Sequence, residues 1–450
     1  MPYEGWNFEK TLLVHNDGET RANELVDVRI PLDARDAGTL ERDVRVVLKS
    51  DWNRIVREIP SQAYAVERHG DVAACRVAFV MDAPANAAQR VGIYYNNPAA
   101  APPGYQSPLQ MEGGALGGMV TTPSVIAAFH ESSGQIKDLS FQYPLPRRDN
   151  KAVALSQRVQ EEAGVLFAVR DGAGAVRPEY ASPVQWKDPE IAEDVRGPVF
   201  VKLVRQGKLA WPGCPAPERC PDLRVTYRFF AHQPFFLVYT RLTFVEDTPV
   251  FGVRVGGMSV ERGAYTHYTF RPVSPPGLPD TDVEEMGHIL IDSEHTADLP
   301  TGPAFAGMIP YTIAWHGFIR VRNGFHRGLT MIQLRHAASP DFPFYRAATY
   351  MVREADGFSG ARVPVHVKTH RADTAVTVPA GASVENLDAV TFDAFDADWG
   401  QQTDRLGKRL NTPLQVKLHP RFMLGDVPPE TFEPLPRGER ADAYRRYGVR

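Results

Sequence analysis

Cysteine is scarce in this chain, with Cys75, Cys214 and Cys220 the whole complement of 450 residues. So few thiols exclude a scaffold built on disulfides. The stretch WPGCPAPERC sets Cys214 and Cys220 six positions apart in a Pro-rich loop, without a second Cys pair or a nearby His to complete a zinc site. A loop staple and two free thiols fit the spacing equally, which leaves the redox compartment open. Charge of one sign is also missing: the net charge is −4, so no global basic field points to nucleic acid or to an anionic membrane. No apolar run approaches the roughly 18 residues of a membrane-spanning helix. The opening MPYEGWNFEK has neither a basic n-region nor an apolar h-region. Cytoplasm is the expectation from the sequence as written, and periplasm or the exterior if a leader has been removed. There is no Gly-rich phosphate loop, no G-x-S-x-G and no C-x-x-C. GALGGM at 114–119 shares only its glycines with a dinucleotide fingerprint.

What is present is turn chemistry in quantity. Thirty-six Gly and 38 Pro divide the chain into many short segments, and with 43% hydrophobic residues this argues for β structure over helix bundles. Residues 1–100 read as a small β domain, a sandwich or barrel, from FEKTLLVH, ANELVDVRIPL, DVRVVLKSDW, CRVAFVMD and RVGIYYNN. Trp6 and Trp52 are expected in its core. Residues 101–118 are dense in Pro and Gly and read as a linker. Residues 119–418 form a large β domain. It opens on strands 125–130 and 135–141 around a Ser-Ser-Gly turn and contains a long hairpin about Ala231–Pro234. Its last strand is expected at Ala389–Phe395, followed by a short helix over Gln401–Leu410. The tail 419–450, with Pro428, Pro429, Pro434 and Pro436, is an extended arm. It either wraps its own domain or crosses to a neighbour, the route to a homo-oligomer.

The chain is organised around YTIAWHGFIRVRNGFHRGLTMIQLRH, residues 311–336. Asn323-Gly324 is a strong hairpin signal, because both turn residues must accept positive φ. With those two in the loop, Arg322 pairs with Phe325, Trp315 with Ile332 and Tyr311 with His336. Strict alternation then puts Tyr311, Ile313, Trp315, Ile332, Leu334 and His336 on one face, and His316, Phe318, Arg320, Arg322, Arg327, Met331, Gln333 and Arg335 on the other. A cationic face carrying a His suits a cleft for an acidic or polyhydroxylated ligand.

The histidines do not compose a metal site. In this register His316 faces away from His326 and His336, and the latter two lie roughly 33 Å apart along one strand. His366 and His370 are about 13 Å apart on theirs. A mixed set of His267 or His288 with Asp292, Glu294 and His295 stays open, so a divalent cofactor is allowed by chemistry and unsupported by ligand spacing. The remaining constellation is His, Tyr and Arg. Tyr265, His267 and Arg271 come from AYTHYTFRP, Trp315, His316, Arg320, Arg335 and His336 from the hairpin, and Tyr345 and Arg346 from DFPFYR. This set fits β-elimination beside a uronic acid. Arg or His neutralises the carboxylate and so acidifies the neighbouring carbon; a Tyr or His base removes that proton, and a Tyr or His acid protonates the leaving oxygen. His267, Tyr265, His336 and Arg335 are the catalytic candidates. Arg271, Trp315, His316, Arg320, Tyr345 and Arg346 are the substrate-binding ones. Two other readings stand beside it: hydrolysis by carboxylates drawn from Glu284, Glu285, Asp292, Glu294 and Asp298, and sugar binding without turnover, with Trp315 and Tyr345 as stacking platforms.

TLLVHNDGETRANELVDVRIPL, RVGIYYNNP, FHESSGQIKDL, YRFFAHQPFFLVYTRLTFVED and VPAGASVENLDAVTF, spread over residues 8–395, resemble the exo-rhamnogalacturonan lyase family and related β-rich polysaccharide-degrading proteins. The resemblance implies an all-β chain, with a small N-terminal barrel or sandwich followed by a large antiparallel supersandwich of the galactose-mutarotase type. It implies a carbohydrate context and an acidic oligosaccharide or polysaccharide as ligand. No catalytic motif of the family can be matched residue by residue, and the helical toroid of many larger lyases is absent.

Overall fold

The computed structural model describes residues 4–33, 40–69, 72–114, 116–143, 153–161, 163–181, 186–210, 216–261, 267–272, 289–292, 313–322, 325–344, 348–349, 362–395 and 401–418; between 261 and 327 the description is of the backbone. All strand pairings among them are antiparallel. The protein is all-β, a small N-terminal β unit followed by a large antiparallel supersandwich.

In the small unit, a five-stranded sheet (Gln415–Leu418, Phe8–Asn16, Ala87–Tyr95, Arg45–Lys49, Ile55–Ile59) packs on a three-stranded one (Arg21–Asp33, Val72–Ala83, Ser61–His69). Period-two alternation supplies the core: Leu12, Val14, Val46, Val91 and Ile93 meet Val26, Val28, Ile30, Cys75, Val77 and Phe79. Ala389–Phe395 belongs to a longer strand, Ser383–Phe395, and it is not the last one. After the helix Gln401–Asn411, Gln415–Leu418 returns to pair with Phe8–Asn16. Trp52 is a correction: it stands 87% exposed on a turn, whereas aromatic character alone placed it in the core. A turn tip offers no second layer to pack against.

The Pro/Gly stretch is irregular but tied down across the outer face of the five-stranded sheet. Arg45 Nη2 donates to Ala101 O at 2.6 Å, Tyr105 Oη donates to Glu58 Oε1 at 2.5 Å, and Ser107 Oγ donates to Pro198 O at 2.9 Å. Strand structure resumes at Gln110–Glu112.

The large unit is two facing sheets. The nine-stranded sheet runs Trp186–Arg196, Phe200–Leu209, Asp222–Phe230, Phe235–Thr243, Ser383–Phe395, Phe325–Ala338, Ile313–Arg322, His267–Pro272, Ile289–Asp292. The ten-stranded sheet centres on Thr248–Glu261, flanked by Gly164–Arg170, Val153–Glu161 and Arg362–Val378. Between them lies a core that includes Phe129, Phe141, Phe167, Tyr227, Phe229, Phe236 and Phe244. The Ala231–Pro234 hairpin forms as the runs on either side of it predict, with Phe229 opposite Phe236 and their rings stacked at 4.8 Å.

The outer face of the nine-stranded sheet holds the small unit. Tyr64 and Ala78 join Phe200, Phe230, Phe235, Ile332, Leu334, Leu387, Ala389 and the helical Leu406 in one apolar cluster. Asp27 ties its edge: it accepts from Tyr64 Oη at 2.6 Å, Arg76 Nε at 3.1 Å and Arg228 Nη1 at 3.0 Å. Burial, with the Asp27 charge adding to it, pushes the Tyr64 phenol up to about 12, so the phenol stays a donor.

Candidate functional site

Trp315 pairs with Ile332 and Arg322 with Phe325, the register the Asn-Gly turn predicts. One irregularity then changes what the hairpin presents. Gln333 pairs with Asp388, but Arg335 pairs with Leu387 and His336 with Asn386, so Leu334 is an extra residue in a β-bulge. A bulge re-aims the side chains that follow it. Strict alternation groups His336 with Leu334, and Arg335 with Met331; the bulge reverses both. Arg335 lies on the outer face beside Leu334, where its Nη2 is 2.5 Å from Glu385 Oε1. His336 lies with Met331 and Asn386 on the face between the sheets.

That inner face is polar where His336 sits. Asn386 and Asp388 are each 1% exposed, and Asn386 Nδ2 donates to Asp388 Oδ2 at 2.5 Å. Facing them from the ten-stranded sheet is the strand Thr248–Glu261, which carries the buried Arg254 and bulges at Gly256–Gly257. Gly256 has φ +82, and a Cβ there would fall 2.2 Å from Asn386 Nδ2 and 2.9 Å from Asp388 Oδ2. Only a glycine lets the two sheets approach at this point. Asn386 Oδ1 has no hydrogen-bond partner among the described residues. The Asp388 hydrogen bond orients the amide of Asn386, the residue paired with His336.

On the outer face Glu385 also accepts from Tyr239 Oη. Burial first, then that hydrogen bond and the carboxylate charge, raise the Tyr239 phenol above its ordinary value. Tyr94 and Tyr105 are raised in the same way, by burial and by Glu9 and Glu58. These phenols are donors, and none of them is a base near neutral pH.

The other residues singled out in the sequence are located only through backbone register, or not at all. Arg271 is directly opposite Trp315, Phe270 opposite His316, and His267 opposite both Ile319 and Asp292. Two adjacent strands thus bring Arg271, Trp315, His316, Arg320 and His267 to one end of the nine-stranded sheet. Their side chains lie outside the described residues, as do Tyr265, Tyr345 and Arg346 altogether. The His267–Asp292 juxtaposition keeps two members of the mixed ligand set together. Among the described residues, no group of three or more His, Cys, Asp and Glu is placed to hold a metal ion. Cys220 is disulfide-bonded, Cys75 is a buried thiol, and Cys214 lies outside the described residues.

Sequence reasoning missed Leu334, Gly256, Asn386 and Asp388. Gly256-Gly257 within a β-branched run was the available signal, since glycine inside a strand marks a bulge or a close backbone approach.

No protein-family model and no curated protein matches the chain. Among solved structures it is similar to an alpha-mannosidase from Enterococcus faecalis, with 8% identity and a TM-score of 0.50 over 94% of this chain. The chain spans about half of that protein, 47% of its length. It is also similar to a galactose mutarotase-like protein from Lactobacillus casei, with 9% identity and a TM-score of 0.32, covering 63% of this chain and all of that one. At such identities the mannosidase likeness concerns the fold. No helix among the described residues is long and apolar enough to cross a membrane.

Proposed function

We propose that this is a carbohydrate-active protein and, within that class, a lyase that eliminates across a uronic acid in an oligosaccharide. The observation that carries the proposal is the register at one end of the nine-stranded sheet. Arg271 is opposite Trp315, and His267 is opposite Asp292, on the register of the face that Ile332 shares and His336 does not. Cation, aromatic ring and imidazole are the groups the reaction needs: one for the carboxylate, one for the sugar face, and one for the proton. His267, oriented by Asp292, takes the proton next to the carboxylate. The electron pair forms the new double bond, the β carbon–oxygen bond breaks, and Tyr265 protonates the leaving oxygen. Arg271 and Arg346 neutralise the carboxylate, while Trp315 and Tyr345 line the sugar. Arg335, held by Glu385, fixes the bulge that turns His336 to the other face, so His336, with His316 and Arg320, takes no part in this site.

The test is a panel of uronate oligosaccharides read at once by ultraviolet absorbance and by reducing ends, with and without chelator. Absorbance that rises with reducing ends supports the lyase, and loss of both in His267→Ala supports its site. The likeness to an alpha-mannosidase favours one second reading, glycoside hydrolysis, which gives reducing ends without absorbance. Saturable binding with neither signal identifies a binding protein.

A further inference from the structure

Between the bulge and the outer strands, the outer face of the nine-stranded sheet carries a row of side chains that none of the roles above uses. Glu190 pairs with Gln206, Gln206 with Arg224, Arg224 with Arg241, and Arg241 with Glu385, so these residues lie side by side across the sheet. Adjacent strands are about 4.8 Å apart, and directly opposed side chains start about 5 Å from one another. Arg224 and Arg241 are therefore a pair of like charges in direct opposition, an arrangement that destabilises a sheet.

Four described cations of this face have counter-charges. Lys202 has Glu193 at 2.6 Å, Lys208 has Asp222 at 2.6 Å, Arg228 has Asp27 at 3.0 Å, and Arg335 has Glu385 at 2.5 Å. Arg224 and Arg241 are both exposed, and neither has an ion pair among the described residues. Glu385, although opposite Arg241, is occupied by Arg335 and Tyr239. The next row along the same face, Thr226 and Tyr239, adds a hydroxyl and a half-buried ring beside the cations.

We propose that Arg224 and Arg241 form a binding strip for an anionic glycan, on the face of the sheet opposite His336. Two guanidiniums on neighbouring strands offer forked donors to a carboxylate each, or to one carboxylate jointly, and Thr226 and Gln206 flank them for hydroxyls. The strip holds a length of acidic chain away from the reacting unit and is read by charge. The choice of a glycan as the anion rests on the function proposed above; the strip itself rests on the registers and the counter-charges.

The experiment measures binding of an oligogalacturonate and of a sulfated oligosaccharide by calorimetry at two salt concentrations, in the full chain, in Arg224→Gln/Arg241→Gln and in Arg177→Gln. Arg177 is an exposed arginine on the other sheet and serves as the charge control. The double variant is expected to bind at least one of the two probes about tenfold more weakly, with a shallower salt dependence, while Arg177→Gln binds as the unaltered chain does. Affinity unchanged in the double variant, an equal loss in Arg177→Gln, or no binding of either probe by the unaltered chain overturns the strip. Binding without turnover would overturn the lyase and leave the strip standing. Turnover with binding indifferent to both arginines would do the reverse.

Discussion

Arg335 Nη2 and Glu385 Oε1 lie 2.5 Å apart on the outer face of the nine-stranded sheet, while the next residue, His336, stands opposite Asn386 on the inner one. Leu334 makes this division, because as the extra residue of the bulge it brings Arg335 onto its own side. The ion pair closes on Tyr239 from the neighbouring strand, so the bulge is stapled where it begins. An imidazole aimed into the space between the sheets thus depends on a cation that never enters that space.

Arg335→Ala should therefore cost stability, and His336→Ala should cost little of either stability or turnover. Removing Arg335 leaves the half-buried Glu385 with Tyr239 alone, at about 1–3 kcal/mol of unfolding free energy. His336 is partly exposed, and its loss should move the urea midpoint little. Denaturation curves and oligosaccharide turnover, measured on both variants, separate the two roles. Equal stability losses would contradict the division of faces.

Asp27 accepts from Tyr64, Arg76 and Arg228, Arg76 Nε donates to Tyr64 Oη as well, and the network joins the small unit to the large one. Asp27→Asn should destabilise by about 2 kcal/mol and widen the calorimetric transition, as the two units lose part of their coupling. A transition unchanged in width and midpoint would mean that the apolar cluster of Tyr64, Phe200 and Phe230 holds the units without it.

Gly256 and Gly381 share a positive φ, +82 and +83, but differ in surroundings: a Cβ on Gly381 would meet nothing within 4 Å. Gly381→Ala should cost about 1–2 kcal/mol, the conformational penalty alone. Gly256→Ala adds a clash with Asn386 and should cost about 3 kcal/mol or more. If the two substitutions cost the same, the close approach of the sheets at Asn386 and Asp388 is wrong.

Turn chemistry made much of the fold legible. The Asn-Gly signal set the Trp315–Ile332 and Arg322–Phe325 pairs, because few residues accept the positive φ of such a turn, and the two apolar runs flanking Ala231–Pro234 set the second hairpin. The Leu334 bulge was not legible: Ile332, Gln333, Leu334 and Arg335 read as plain alternation, and the extra residue is set by pairing with Ser383–Phe395, about fifty positions away. Asn386 and Asp388 were invisible for a related reason. In VENLDAV they look like solvated polar positions, and only the facing Gly256 shows that they are buried. Trp52 erred the other way, since hydrophobicity does not report whether a turn has anything above it.

Glu9 gives the fold an acid-sensitive element with a definite sign. Burial pushes its carboxyl up, but hydrogen bonds from Lys49, Thr11 and Tyr94, with the Lys49 charge, together hold it below its ordinary 4.5. Gly92 makes the arrangement possible, because a Cβ there would fall 2.7 Å from Lys49 Cε. A carboxylate whose folded value is depressed contributes stability that is present above the unfolded value and lost as pH falls through the folded one. Glu9→Gln should therefore lower the urea midpoint at neutral pH and converge with the unaltered protein in acid below the ordinary carboxylate range. Glu24, near Arg409 and Arg21, carries the opposite sign: burial outweighs both arginines and raises it, so its contribution is fully present below 4.5 and lost as pH rises through the folded value. Midpoints recorded across the acid range should show the Glu9→Gln deficit growing with pH. A deficit constant with pH would mean that the Lys49 contact stabilises by packing and that ionisation of Glu9 plays no part.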